Sequence, residues 1–160
     1  MTDARIYADL KRDHDKQRDL LKRRSGETGG EQRRGLFEEL RLELQSHAAA
    51  EEESLYATML ADPELRDDAR HSVAEHKEVD DILGEMMALD PSSDEWNEKF
   101  SHLRHRYEHH IDEEEEDMFP AAADRLDEAT EERLAETYEE RKPAEREHAI
   151  TNPPGADERE

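Results

Sequence analysis

The sequence predicts an all-α protein: an up-down-up-down four-helix bundle with a short C-terminal helix and a flexible tail. Three observations carry that expectation. Glycine and proline are sparse and cluster at three places, leaving four segments of helical length at roughly 3–25, 31–60, 64–89 and 94–125. Alanine, leucine, glutamate, lysine and arginine dominate these segments, and none shows sustained strand alternation. Each segment carries one inward stripe at spacings of three and four, the period of a helix buried along one face.

The first stripe is Tyr7, Leu10, His14, Gln17 and Leu21, and "SGETGG" (25–30) ends its helix. The second is Leu36, Leu40, Leu44, His47, Glu51 and Leu55. It stops at "ADPEL" (61–65), where Asp62 is placed to cap the next helix and Pro63 to occupy its first position. The third runs Leu65, Ala69, Ser72, Val73, His76, Val79, Leu83 and Met86. In "DPSSDE" (90–95), Ser92 and Glu95 have capping-box spacing. The fourth runs Phe100, Leu103, Tyr107, His110 (beside Ile111), Glu114 and Met118, after which Pro120 kinks or ends the helix. Connections this short make neighbouring helices antiparallel. Leu126, Leu134 and Tyr138 mark an extra helix packed on the bundle. The expected organisation is a bundle over 1–125, a helical extension over 126–148 and a flexible tail over 149–160.

Composition excludes several functions. The 160-residue chain suits one domain. Its 46 acidic residues against 23 basic ones give a net charge of −23, which repels nucleic acid and anionic membrane surfaces alike. No run of 18 apolar residues occurs, and the opening "MTDARIYADLKRDHD" lacks the apolar stretch of a signal peptide, so a cytoplasmic location is expected. Zero cysteines exclude disulfides, thiolate catalysis and cysteine-based zinc sites. A hydrophobic content of 32% with this much charge would suit disorder, and the periodicity overrules that. The oligomeric state stays open.

Polar residues on the inward stripes point to a site. Each helix places one histidine there: His14, His47, His76 and His110. Two have a glutamate one turn later, His47–Glu51 and His110–Glu114. In "HHIDEEEEDMFP" (109–120) the stripe passes through His110 and Glu114, while His109, Glu113 and Glu116 point elsewhere. His47 lies 15 residues before Asp62 and His76 lies 14 after it. At ~1.5 Å per residue, both histidines stand about 22 Å from the same turn, level with each other. Four imidazoles and two carboxylates therefore converge. Burying them unpaired costs several kcal/mol per ion. No Arg or Lys lies on these stripes at that level, so a salt-bridged polar core lacks its cations. Two divalent metals satisfy all six groups; imidazole with carboxylate suits iron, with manganese or zinc as alternatives. His102, His105 and His109 are expected at the surface or stripe edge, and His148 in the tail.

With these residues in place, the sequence resembles the hemerythrin-like, or HHE cation-binding, family. The stretches that carry the likeness are "DLKRDHDKQRDLL", "HAAAEEESLY", "EHKEVDDIL" and "HIDEEEEDMFP", matching in order and spacing across about residues 5 to 125. The resemblance implies a non-haem centre of two iron ions with oxo, hydroxo or carboxylate bridges, reacting with O2, H2O2 or NO. It implies His14 and His47 on one iron, His76 and His110 on the other, and Glu51 and Glu114 bridging. One position departs from the oxygen-carrying members, which have a further histidine four residues before the third-helix ligand. Here that residue is Ser72. His71 is adjacent, but five residues from His76 puts it about 140° off the face, so it joins the set only through a bulge.

Three functions follow as expectations: an enzyme that decomposes peroxide or reduces NO, a module that senses or holds O2, NO or iron without turnover, and a metal-free acidic scaffold. No segment resembles an attached output domain, and the missing third-helix histidine leaves room for an exogenous ligand; both favour peroxide decomposition.

Overall fold

The computed structural model describes residues 4–26 and 30–154, and it contains no strand among them. Helix α1 spans Arg5–Gly26. The second bundle segment is composite: α2 (Gly30–Glu51), a π-helical turn (Glu52–Tyr56) and α3 (Ala57–Ala61). The third is α4 (Arg66–Met87). The fourth is again composite, with α5 (Asp94–Glu113), a π-helical turn (Glu114–Met118) and α6 (Phe119–Arg125). Helix α7 (Glu128–Thr151) follows and packs on α1 and α2. Of the "SGETGG" break, residues 27–29 lie outside the described residues.

Several boundaries differ from the sequence expectation by a residue or more. Helix α4 begins at Arg66, because Asp62 and Pro63 form a turn: Asp62 Oδ1 accepts from the Glu64 N–H at 2.9 Å and its carbonyl from Arg66 N–H. Ser93, not Ser92, caps α5, its hydroxyl accepting from Trp96 N–H at 3.2 Å. Asp90 Oδ1 holds Ser92 N–H in the preceding turn, which moves the start one residue on. Pro120 neither ends nor interrupts the fourth segment: it sits in the first turn of α6, where its missing N–H is tolerated, and the helix continues to Arg125. In the second stripe Leu36 is half-buried and Phe37 takes the core position, edge-on to Trp96 at 5.8 Å.

The core is divided. One apolar cluster holds Ile6, Tyr7, Leu10, Leu55, Met59, Leu65 and Phe119 among others. A second holds Leu21, Leu40, Leu83, Trp96, Phe100 and Leu103 among others. The histidine stripe residues lie between them in each helix. Burying a leucine or phenylalanine side chain contributes ~1.5–3 kcal/mol, so the two clusters hold the bundle together on either side of the polar layer and exclude water from it.

The C-terminal helix is longer than expected. It runs 24 residues, takes in the first residues of the predicted tail and leaves only the part within 155–160 outside the described residues. Leu134, Ala135, Tyr138 and Ala149 are buried against the bundle. Asp127 caps its N-terminus through Thr130 N–H, and buried Arg41 donates to the Ala149 carbonyl at 2.7 Å. Gln45 adds a bond to the Asn152 carbonyl. Carbonyls that a helix end leaves unpaired are thus satisfied from α2, which keeps the last turn ordered. No helix among the described residues is long and apolar enough to cross a membrane.

The α1–α7 contact contains a strained pair. Burial, and then Glu139 beside it, push the Asp9 carboxyl up to about 6. A raised carboxylate pKa means that the ionised form is disfavoured in the folded state; the penalty is full above pH 6 and fades as pH falls toward the unfolded value. Asp9→Asn is therefore expected to raise the melting temperature at pH 7–8 by roughly 2–4 °C, a gain on the order of 1 kcal/mol. The difference should vanish near pH 4 in a calorimetric series; a constant difference across that range contradicts the cause given.

Candidate metal centre

The structure brings the six predicted residues together. His14 comes from α1, His47 and Glu51 from α2, His76 from α4 and His110 from α5, while Glu114 opens the second π turn. None is more than 4% exposed. Glu51 Oε1 stands 3.5 Å from His47 Nε2 and 3.3 Å from His76 Nε2. Glu114 Oε1 stands 3.1 Å from His110 Nε2 and 3.5 Å from His14 Nε2. Each carboxylate thus reaches histidines from both halves of the bundle. Ligand atoms of His14, His47, Glu51 and Glu114 lie within 4.8 Å of one another, as do those of Glu51, His76 and His110. Two ligands ~2.1 Å from a shared ion are roughly 3.0–3.4 Å apart at octahedral or tetrahedral angles. The separations fit.

The outer edges of the imidazoles explain their orientation. His14 Nδ1 donates to Glu115 at 2.6 Å, His76 Nδ1 to Glu52 at 2.7 Å and His110 Nδ1 to Glu75 at 2.8 Å. His47 Nδ1 lies 2.7 Å from the Tyr138 hydroxyl and 3.2 Å from Asp13. An ionised carboxylate only accepts, so Nδ1 carries a proton and Nε2 faces inward. All four Nε2 atoms, both oxygens of Glu51 and Glu114 Oε1 are buried without a hydrogen-bond partner. Buried polar atoms are seldom left so. A divalent cation is the species that this donor set fits. Nearby cations serve carboxylates outside the centre instead: Arg18 pairs with Glu115, and Lys142 with Asp13 and Glu43.

Burial disfavours a charged imidazole, yet Glu51 and Asp13 carry His47 up to about 10, and Glu114 and Glu75 do the same for His110. His14 and His76 are raised in the same way. Against its own burial, Glu114 is held well below the carboxylate range, chiefly by His110. The pocket favours positive charge, which protons or metal ions supply.

The two halves repeat one arrangement. An acid precedes the histidine of the first and third helices (Asp13–His14, Glu75–His76), and an acid follows the glutamate of the other two (Glu51–Glu52, Glu114–Glu115). These four outer acids are the Nδ1 partners, and sequence reasoning missed them although the doublets are visible. It also missed both π turns. A regular helix advances ~100° per residue, so Tyr56, five after Glu51, would stand about 140° away; the extra residue of a π turn returns it to about 40°. Its hydroxyl then donates to Glu114 Oε2 at 2.5 Å and its ring stacks on His76 at 5.3 Å. Phe119, five after Glu114, stacks in the same way on His14 at 5.9 Å.

The remaining sequence candidates are peripheral. Helix α4 is regular through residues 71–76, so the bulge that His71 would need is absent; it is 60% exposed and stands 3.2 Å from Glu113. His102, His105 and His109 are exposed as expected, and His148 is exposed on α7 rather than in a tail. Tyr7 donates to Glu131 at 2.8 Å, and Tyr107 bonds Gln17 with its ring 6.0 Å from His110. Buried Ser72 donates to the Met118 sulfur at 3.4 Å. Beside it a cavity of about 240 Å3 lies between α4 and the α5–π-turn junction, with Ser72, Glu113 and Glu114 among its lining residues.

The description "Hemerythrin HHE cation binding domain" matches residues 5–122. A solved structure of a hemerythrin HHE cation binding domain-containing protein from Mycobacterium kansasii is similar, at 29% identity over 88% of this chain and 86% of that one, with a TM-score of 0.76. No curated protein matches.

Proposed function

The chain belongs to the hemerythrin HHE cation-binding domain family, and on that premise we propose that it is a non-haem di-iron protein that binds small oxidants and decomposes peroxide. In this reading His14 and His47 hold one iron, His76 and His110 the other, and Glu51 and Glu114 lie between them. The observation that supports reactivity is the cavity lined by Ser72 and Glu114, which a small neutral molecule can enter beside the centre.

Bound iron supplies Lewis acidity and redox change. The protein's own groups do the rest. The outer carboxylates keep each Nδ1 protonated and fix the direction of each Nε2. The Tyr56 hydroxyl fixes Glu114 and stays protonated, because burial and then Glu114 and Glu51 raise it well above the usual phenol range. Apolar clusters on both sides exclude water. Disproportionation of two H2O2 to O2 and two H2O needs no outside reductant, so this reaction can run on peroxide alone.

The test is elemental analysis of protein expressed with ample iron, followed by oxygen release on adding peroxide. Two irons per chain and steady turnover are expected. Ser72→His puts an imidazole into the 240 Å3 cavity and should cut turnover roughly tenfold or more by displacing the incoming molecule. Metal content far below two equivalents sinks the reading. Stable, reversible O2 binding without peroxide turnover would reassign the protein as a carrier or sensor.

A further inference from the structure

The same cavity differs sharply from its counterpart in the other half of the bundle. His14 and His76 are 62 residues apart, and Glu51 and Glu114 are 63 apart. These shifts set Leu10 against Ser72, Ile6 against Asp68, Ala50 against Glu113 and Ser54 against Asp117. In the first half all four positions are buried, and Tyr7, Leu10 and Ala50 join the same cluster as Leu134 and Tyr138 of α7. In the second half the equivalents are Asp68, Ser72, Glu113 and Asp117, and they line an opening. None of the described residues lining it is lysine or arginine. Glu114, 1% exposed and with Oε1 lacking any hydrogen-bond partner, is among its lining residues.

At its rim, His71 Nε2 stands 3.2 Å from Glu113 Oε1 and 3.4 Å from Glu75 Oε2. Ligand atoms of these three residues lie within 4.8 Å of one another, and their separations suit ligands of one ion at ~2.1 Å. Glu75 also bonds His110 Nδ1 through its other oxygen, so the rim group abuts the centre. An acidic, low-dielectric opening concentrates cations and turns anions away.

We propose that His71, Glu75 and Glu113 form a third, transient divalent-cation site, and that the acidic cavity behind it is the port through which metal reaches the buried pair. This rests on the di-iron reading above. It gives His71 a role in loading rather than in the finished centre. The exposed ligands hold an arriving ion weakly, and the unpaired Glu114 oxygen, with the inward Nε2 atoms beyond it, draws it inward.

The test is anaerobic mixing of metal-free full-length protein with Fe2+, following the fraction still open to an external chelator. The double variant His71→Ala/Glu113→Gln should load roughly tenfold more slowly, while its final iron content and the melting temperature of the loaded form match wild type. Glu39→Gln, which removes one charge at a different cavity between α1, α2 and α7, should load at the wild-type rate. Wild-type loading by the double variant at full iron content overturns the port and leaves the di-iron reading standing. Equal slowing by Glu39→Gln overturns it too, because general charge then sets the rate. A drop in final iron to one per chain overturns the transient role, making the rim residues permanent ligands. Failure of wild type itself to take up iron removes both proposals.

Discussion

Glu114→Ala is expected to lower iron from two ions per chain to at most one and to abolish peroxide decomposition. Glu114 is the residue on which the most depends: its Oε1 faces His110 and His14 from opposite halves, and its Oε2 accepts the Tyr56 hydroxyl hydrogen bond. Alanine leaves a buried phenol and two imidazoles without their anionic partner. Removing one member of a buried charged group costs about 3–5 kcal/mol, so the variant should also melt lower. Glu114→Gln separates charge from shape, since the amide fills the same volume but neither balances the metal charge nor bridges as an anion. Both variants should lose the second iron by elemental analysis and stop releasing oxygen from peroxide. A Gln variant that keeps two irons and full turnover would remove Glu114 from the centre.

Stripping iron from the intact protein should lower the melting temperature by roughly 5–10 °C for each ion bound at a hundredfold excess over its Kd. Such an ion contributes about 2.7 kcal/mol, and each kcal/mol moves a domain of this size about 2–4 °C. The six residues come from all four bundle segments and span positions 14 to 114, so the unfolded chain presents no such site and the binding energy of a metal becomes folding energy. Two bound divalent cations would also offset part of the self-repulsion in a chain of net charge −23. The paired control is His109→Ala: that side chain is 59% exposed, and its removal should leave both forms within a degree or so of wild type. Identical melting of metal-free and loaded protein by calorimetry would show that the bundle does not depend on the centre.

The sequence by itself determined the four-helix architecture and the meeting of His14, His47, Glu51, His76, His110 and Glu114. Both follow from local arithmetic: a 3.6-residue period fixes a face, and 1.5 Å per residue fixes a height. Where helices are regular and connections short, these two quantities place a side chain without knowledge of its neighbours. The tertiary structure decided everything that depends on which distant group completes a bond. Tyr56 and Phe119 reach the centre only through π turns, which local sequence does not favour and which persist here where Tyr56 donates to Glu114 and both rings stack on histidines. The Nδ1 partners lie on other helices from the histidines they hold. Helix α7 keeps its last turn because Arg41, 108 positions away, satisfies the Ala149 carbonyl. The opening beside Ser72 exists because polar residues occupy positions that the other half fills with Ile6, Leu10 and Ala50. Periodicity records which face of a helix is buried; whether a buried polar atom is then paired depends on chain segments that only folding brings within reach.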